Sequence, residues 1–559
     1  MAHTTLVAKP PAAVDGEEPD GPTEVAITSQ KKGTLAGPER LSRSLLWDLQ
    51  RRFYQQQGVE AWSTGLIPFH ITSTPYIAHA YAKMVTGYMR DCGAGTGLDP
   101  AEPFYIVELG AGHGRFGYRF LKRLSRQLAQ TPFAEQPVTF VMTDVSERNL
   151  EFLQAHPRLQ PFVRDGVLDF APFDAGRDRE LRLVNSGRTL GTDAIGNPLV
   201  LIANYVFDSI AQDSFHVKDG RLDEIAVSIS SPYGRPGLDQ DGLTVLPELE
   251  LTYHYTPVFA AYYGDPSWNR LLDGCRARLA DSALLFPVAA LDTIDTFRRL
   301  AGDRLLLLSA DKGFSEDEAL LLGYGTPGIT LHGTGCFSMM VDYRLIGEHF
   351  TNLGGDAFHP GHRHENLNVS ACALGGSSDG HPETRLAYAD AIDDFGPDDL
   401  YSVIGDPDQR TGALDVGRLM AELRLSRWDE TILAVNLPVL LQAAPELSKV
   451  EKQEIFGAIR RVWDHFLPIG ESYDLAFQLG ALLYQMRYYA EAIDFFRESI
   501  AIGGLEPGTA YNLAACHYAM RDLELALERV EEALRLDPHS DAARSLRIAI
   551  LAERNRRAL

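Results

Sequence analysis

The chain has 559 residues, 45% of them hydrophobic and 23% charged, which is the composition of an ordinary globular protein with ample material for a buried core. That length predicts about three domains. A net charge of −24 argues against binding nucleic acid by neutralising phosphates, and no run of about 18 apolar residues offers a membrane span.

The five cysteines, Cys92, Cys275, Cys336, Cys372 and Cys516, contain no C-x-x-C pair and are expected to be free thiols in a reducing compartment. No signal-peptide pattern opens the sequence, so a cytoplasmic location is the expectation.

Residues 1 to about 38 mix proline, glycine and charge, as in PPAAVDGEEPDGP, and are predicted to form a disordered tail. From Glu39 the pattern changes, and Leu41, Leu45, Leu46, Leu49 and Phe53 share one face of a helix. Farther on, Thr74 and Pro75 make a helix start ahead of an apolar face through Ile77, Tyr81 and Met84. The polar turn from His70 to Thr74 either just covers a sheet or lies over the mouth of a ligand site.

Phe104 to Leu121, FYIVELGAGHGRFGYRFL, organises the rest: an apolar strand, a turn with Gly110, Gly112 and Gly114, then a helix start. Such a turn lets the backbone approach a ligand, and the helix end presents unpaired N–H groups. Gly112, Gly114 and Gly117 fit the G-x-G-x-x-G spacing of dinucleotide sites. Read from Glu108, the same stretch is E-x-G-x-G-x-G, which suits S-adenosylmethionine (SAM), whose sulfonium is cationic. Both cofactors stay open on these residues, with the acid favouring SAM.

Val138 to Asp144 is a second buried strand. Its terminal Asp144 is placed to accept hydrogen bonds from ribose hydroxyls. A helix from Asn149 to His156 precedes PFVRDGVLDF, read as a short strand ending at Arg164, Asp165 and Gly166, with Asp165 a candidate for the adenine end of a cofactor. Pro198 to Val217 supplies strand four with Asn204 at its carboxyl end, where ligand crevices open in such sheets. Asn204, Tyr205 and Asp208 are therefore the candidates for contact with the reacting group. Asp219 and Gly220 mark a hairpin turn, and a helix is expected near Pro266 to Leu279. Arg304 to Gly313, Phe337 to Val341 and Asn366 to Leu374 read as further strands. His359, His362 and His364 are close in sequence, but loop histidines without a distant partner motif are more often structural, and no metal is assigned.

From about Asp390 the pattern is helical, and a repeat follows. Leu479, Ala492, Phe496 and Ser499 recur 34 residues later as Leu513, Ala526, Val530 and Ala533, with Pro538 closing the second copy. Gly480 and Ala514 occupy matching places. This is the tetratricopeptide (TPR) pattern, and it predicts a groove for a protein or peptide partner.

Three segments, ITSTPYIAHAYA, IVELGAGHGRFG and LIANYVFDSI, resemble motifs of the MidA-like branch of class I SAM-dependent methyltransferases, a likeness covering about 340 positions. That branch includes a mitochondrial arginine methyltransferase. The resemblance implies a doubly wound, Rossmann-like α/β sheet with an inserted β-hairpin. It also implies cofactor contacts for Glu108, Gly110, Gly112, Gly114 and Asp144, a similar role for Asp165, and an active site near Asn204 and Asp208. Tyr76 and Tyr205 stand where the family has acids, which argues against arginine as the acceptor. The expected organisation is a tail over 1–38, a methyltransferase-like domain over 39–390, a helical connector over 391–470, and TPR repeats with a capping helix over 471–559. The expected function is methyl transfer to a protein recruited by the repeats; the alternative is a degenerate methyltransferase fold serving as a scaffold.

Overall fold

The computed structural model describes residues 33–64, 70–95, 97–192, 194–231, 249–317, 327–332, 335–362, 367–376, 379–405 and 414–558. They divide into two compact units, an α/β unit that ends at Val403 and a helical unit from Ile404 onward.

The strands of the α/β unit are β1 (Gly33–Arg40), β2 (Phe104–Leu109), β3 (Val138–Asp144), β4 (Leu168–Pro172), β5 (Leu199–Asn204), β6 (Asp213–Lys218), β7 (Arg221–Ser231), β8 (Glu250–Pro257), β9 (Asp281–Phe286), β10 (Leu305–Asp311), β11 (Asp356–Phe358) and β12 (Asn368–Ala373). Seven of them form the central sheet in the order β11-β12-β10-β5-β2-β3-β4. β10, β5, β2, β3 and β4 run parallel, while β12 is antiparallel to both of its neighbours. β2 is buried at every position, as a strand covered on both faces must be. The chain reverses its winding direction between β2 and β5, and a crevice opens there at the carboxyl ends of the strands.

A second sheet explains part of what the sequence left unclear. β6 and β7 form the expected hairpin, with Asp219 and Gly220 both at positive φ in the turn. Yet the hairpin is no isolated insertion: it belongs to a five-stranded sheet ordered β1-β7-β6-β9, with β8 also on β7. β1 overturns the end of the proposed tail, because Gly33 to Arg40 pair with β7. Residues 1–32 lie outside the described residues.

Helix α1 (Leu45–Gln57) is capped by Ser44, whose side chain accepts from Leu46 N. It buries Leu46 and Leu49 against this sheet, together with Val227, Ile229 and Phe337. Helix α2 (Pro75–Ala94) starts as the sequence predicts, with Thr74 accepting from Ile77 N and Pro75 in the first turn. Helix α3 (Arg115–Leu128) follows the glycine turn. Phe337–Met339 and Val341–Asp342 join two small separate sheets, so the expected strand there is not part of the central one.

The α/β unit runs past the expected boundary at 390. Helix α4 (Pro382–Tyr388) packs so closely on α2 that a Cβ on Gly87 would stand 2.7 Å from Glu383 O. Asp91 of α2 accepts from Glu383 N, Thr384 N and the Thr384 hydroxyl at 2.7–3.0 Å, satisfying the free donors of that helix end. Tyr76 then donates from its hydroxyl to Ala391 O and Phe395 O.

The helical unit contains α5 (Val416–Leu425), α6 (Glu430–Ala443), α7 (Lys449–His465), α8 (Leu475–Gln485), α9 (Tyr489–Gly503), α10 (Pro507–Ala519), α11 (Leu523–Leu536) and α12 (Asp541–Ala558). α8 packs on α9, and α10 on α11, as two helical hairpins with short turns. Leu479, Ala492, Phe496 and Ser499 of the first, and Leu513, Ala526, Val530 and Ala533 of the second, are all buried. Among the described residues, no helix is long and apolar enough to cross a membrane.

Candidate active site

The crevice beside the glycine turn is a cavity of about 560 Å³. It is within the range that buries a cofactor or drug-sized ligand. Its floor is the end of β2 and the turn, with Glu108, Gly110, Gly112 and His113. One wall carries Asp144 and Phe173, another carries Asn204, Tyr205 and Asp208, and Trp47, Tyr54, Trp62 and Phe337 close it with aromatic rings.

Gly110, Gly112 and Gly114 have φ of 60°, 53° and 74°, so all three adopt the left-handed conformation that side chains resist. Gly110 and Gly112 line the cavity. Gly114 does not; it shapes the turn, donating from its N–H to Ala111 O at 2.8 Å as α3 begins. Gly117 has another duty. A Cβ there would sit 2.6 Å from Glu108 Oε2, so this glycine lets α3 cross directly over the acid.

Glu108 is 5% exposed, and its Oε2 has no hydrogen-bond partner. Burial, and then the nearby Asp144, push its carboxyl well above the usual range. Asp144 accepts from Gly112 N at 2.9 Å and from Ser146 N at 2.8 Å, one bond to each oxygen. It thereby holds the glycine turn against β3. Burial raises its pKa, opposed by these donors.

Asn204, at the carboxyl end of β5, accepts from the Tyr81 hydroxyl at 2.8 Å through Oδ1. That bond leaves Nδ2 as a buried donor without a partner at the cavity wall. Tyr205 follows at φ 52°, a strained conformation for a side-chain-bearing residue. Asp208 lies in the single turn Phe207–Ser209 and accepts from the Ser209 hydroxyl at 2.7 Å.

Asp165 is not brought to this site. The segment read as a strand is the short helix Gln160–Arg164, with Pro161 in its first turn, and Asp165 follows it, exposed. β4 begins only after Gly166, at φ 72°, has turned the chain. Asp165 is absent from the cavity wall, where Phe173 and Asp174, just beyond β4, stand instead. Of the polar turn His70 to Thr74, Thr72 and Ser73 line the cavity. Of the three loop histidines, His359 is bonded to Ser370 through Nδ1 at 2.8 Å and held near pKa 4 by burial, and His362 faces Asp393. His364 lies outside the described residues.

Sequence reasoning missed Trp62, Trp47, Tyr54, Phe337 and Asp311. Gln50 of α1 bridges two of the cavity's borders, accepting from Phe337 N at 2.8 Å and donating to Ser209 O at 3.3 Å.

No family model matches the chain, and no curated protein matches it. Among solved structures it is similar to two members of one superfamily from Burkholderia thailandensis. One is an uncharacterised protein, 15% identical over 61% of this chain and 90% of that one, with a TM-score of 0.37. The other is a methyl transferase candidate bound to S-adenosyl-homocysteine, 15% identical over 63% and 91%, with a TM-score of 0.38. A third is the CMeT domain of the citrinin polyketide synthase, 13% identical over 50% and 48%, with a TM-score of 0.24. Likeness this distant leaves the activity to be argued from the chain's own residues.

Proposed function

We propose that the chain is a SAM-dependent methyltransferase acting on a protein substrate, and that the helical hairpins are TPR-type repeats that recruit the substrate or a regulator. The observation that carries the reading is the unpartnered Oε2 of Glu108 beside a glycine turn whose backbone lies open to the cavity. A buried acid without a partner is costly, and a cationic ligand would offset that cost. The aminoacyl end and sulfonium of SAM fit this requirement. A dinucleotide pyrophosphate would set like charges against Glu108. The sheet order supports the choice as well: dinucleotide folds run 3-2-1-4-5-6, whereas here an antiparallel strand is inserted before the last.

When bound, SAM supplies an electrophilic methyl group. The protein's part would be alignment and exclusion of water. Glu108 and the backbone of Gly110 and Gly112 would hold the methionine end, Asp144 the ribose, and Asn204 would orient the acceptor, by donation from Nδ2, or the cofactor amine, through Oδ1. Asp208 would act on the acceptor's proton. The net charge of −24 argues against a nucleic-acid substrate, and five buried free thiols are in keeping with a cytoplasmic location.

Calorimetric titration with S-adenosylhomocysteine tests the reading. The wild type is expected to bind, and Glu108→Ala and Gly112→Val to lose binding while staying folded. Affinity retained in both variants would overturn the site, and absence of binding in the wild type would overturn the function. A second reading, a scaffold without catalysis, draws on Tyr76, whose hydroxyl is turned onto the backbone at Ala391 and Phe395 and so brings no acid to the site. Binding without turnover on any lysate protein would favour it.

A further inference from the structure

On the cavity wall Asp208 does not stand alone. Asp311 ends β10, the strand next to β5, and its Oδ2 accepts from Asp208 N at 3.0 Å while its Oδ1 accepts from Lys312 N at 2.8 Å. Asp208 lines the cavity, whereas Asp311 lies behind it with no exposed surface. Two carboxyls this close and this buried do not both ionise near neutrality. Burial and the neighbouring Asp208 push Asp311 well above the usual range, so Asp311 keeps the proton. Asp208 is pushed up to about 6 by burial, opposed by the Ser209 hydroxyl, Lys312 and a hydrogen bond from Asp311. At neutral pH, then, an ionised carboxylate faces the cavity with a protonated one bracing it.

Around the pair stand Tyr54, Tyr81, Tyr205 and Tyr343, all raised by burial and neutral, Lys312, which lines the cavity, and beyond them Cys336 and His332, whose imidazole is lowered by burial and by Lys312. Lys312 disfavours a cationic acceptor. A guanidinium would want two accessible acids, and here Asp311 is shut away while Tyr76 is engaged elsewhere. Trp47, Tyr54 and Phe337, which also line the cavity, suit a flat aromatic ring. Proton affinities agree: a phenol, with a pKa of about 10, is nearer to the reach of such a base than a guanidinium at about 12.5 or above.

We propose that the methyl acceptor is a phenolic hydroxyl, that Asp208 takes its proton during transfer, and that Asp311 is the positioning residue for Asp208; this rests on the methyltransferase reading of the site. In the step the O–H bond breaks toward the Asp208 carboxylate. The oxygen pair forms the O–CH3 bond, and the C–S bond breaks with its electrons left on a neutral thioether.

The phenol could belong to a free small molecule or to a tyrosine of a protein, so both are tested. Full-length protein saturated with S-adenosylhomocysteine is titrated with 4-methylphenol, N-acetyltyrosinamide, N-acetyllysinamide and N-acetylargininamide. At least one phenol is expected to bind and both cationic compounds to fail. 4-Methylphenol alone would point to a small molecule, and binding of the tyrosine compound to a protein. Lys312→Met should weaken phenol binding about tenfold and leave S-adenosylhomocysteine affinity unchanged. With SAM, Asp208→Asn should lower kcat about a hundredfold without changing phenol affinity. The kcat/KM profile for the phenol should rise with pH as Asp208 ionises, at about pH 6. Asp311→Ala should move that midpoint upward by removing a donor to Asp208. Binding and methylation of the arginine or lysine compound in place of the phenols would overturn the acceptor class. An unmoved midpoint in Asp311→Ala would overturn the positioning role. Failure of S-adenosylhomocysteine itself to bind would overturn this inference and the methyltransferase reading together.

Discussion

Trp62 rests on the turn at Gly112: a methyl group placed on Gly112 would stand 3.0 Å from Trp62 Cζ2. The indole also stacks on Tyr54 and meets His113 edge-on. The turn and the aromatic wall above it are thus one packed object, although Trp62 and Gly112 are 50 positions apart. Gly112→Ala meets two obstacles, a φ of 53° and the indole.

Gly112→Ala is therefore expected to cost about 1–3 kcal/mol of stability and to weaken S-adenosylhomocysteine binding by at least tenfold. Adding Trp62→Ala removes the steric part and leaves the backbone part. Denaturant unfolding and calorimetry of the single and double variants check this, and a double variant no more stable than the sum of the singles would show that Trp62 does not confine the turn.

Glu108 makes stability depend on pH with a definite sign. Its folded-state pKa lies well above the unfolded value, raised by burial and then by Asp144. Between those two values the folded protein holds the extra proton, so the contribution of Glu108 to the stability of the ligand-free protein is full below the ordinary carboxylate range and is lost as pH rises through that window. Glu108→Gln should flatten the dependence, stabilising the ligand-free protein at about pH 8 while weakening S-adenosylhomocysteine binding. Denaturant midpoints of both proteins at about pH 5 and about pH 8 test it. Equal pH dependence in the two would exclude Glu108 as a source.

The part of this site that sequence reasoning found lies where chemistry and chain order coincide. Glu108, Gly110, Gly112 and Asp144 sit at the ends of adjacent parallel strands, and Asn204 ends the next strand across. Strand pattern and glycine spacing place them without tertiary information. Trp47, Trp62 and Phe337 carry no such mark: Trp47, from α1, and Phe337, from a small separate sheet, reach the cavity through packing beside the second sheet, and Trp62, in the short helix Glu60–Ser63, reaches it by resting on Gly112 and Tyr54. Asp311 reads as the polar end of a buried strand; its proximity to Asp208 depends on β10 lying beside β5. Asp165 misled because a proline-started turn of helix and a short strand look alike over five residues. β1 was invisible as a strand since its pairing with β7 spans nearly 200 residues.

Tyr81 tests the role of Asn204 without touching the cavity. Its hydroxyl bonds Asn204 Oδ1 and so fixes which face of the amide meets a ligand. Tyr81→Phe should cost about 1 kcal/mol of stability. In an enzyme whose Asn204 orients the reactants it should also lower kcat more than it raises KM. A change in KM alone would limit Asn204 to binding.

In the helical unit, volume is exchanged between the two copies of the repeat. A Cβ on Gly480 would stand 2.8 Å from the ring of Phe496. Thirty-four residues on, the same two places hold Ala514 and Val530, both buried in one cluster. The first copy joins a bare backbone to a large ring; the second joins a methyl group to a smaller side chain. Close-packed interiors resist either change made alone. Gly480→Ala should lose about 1–3 kcal/mol by overpacking, despite its better helix propensity, and Phe496→Val should lose a few kcal/mol by leaving a cavity. Made together they reproduce the second copy's solution, so the double variant should be more stable than the sum of the two losses by about 1 kcal/mol or more. Helical circular dichroism followed through denaturant unfolding of the full chain measures the cycle. Strict additivity would mean that the two copies do not share one packing geometry, and the repeat would then be a matter of spacing alone.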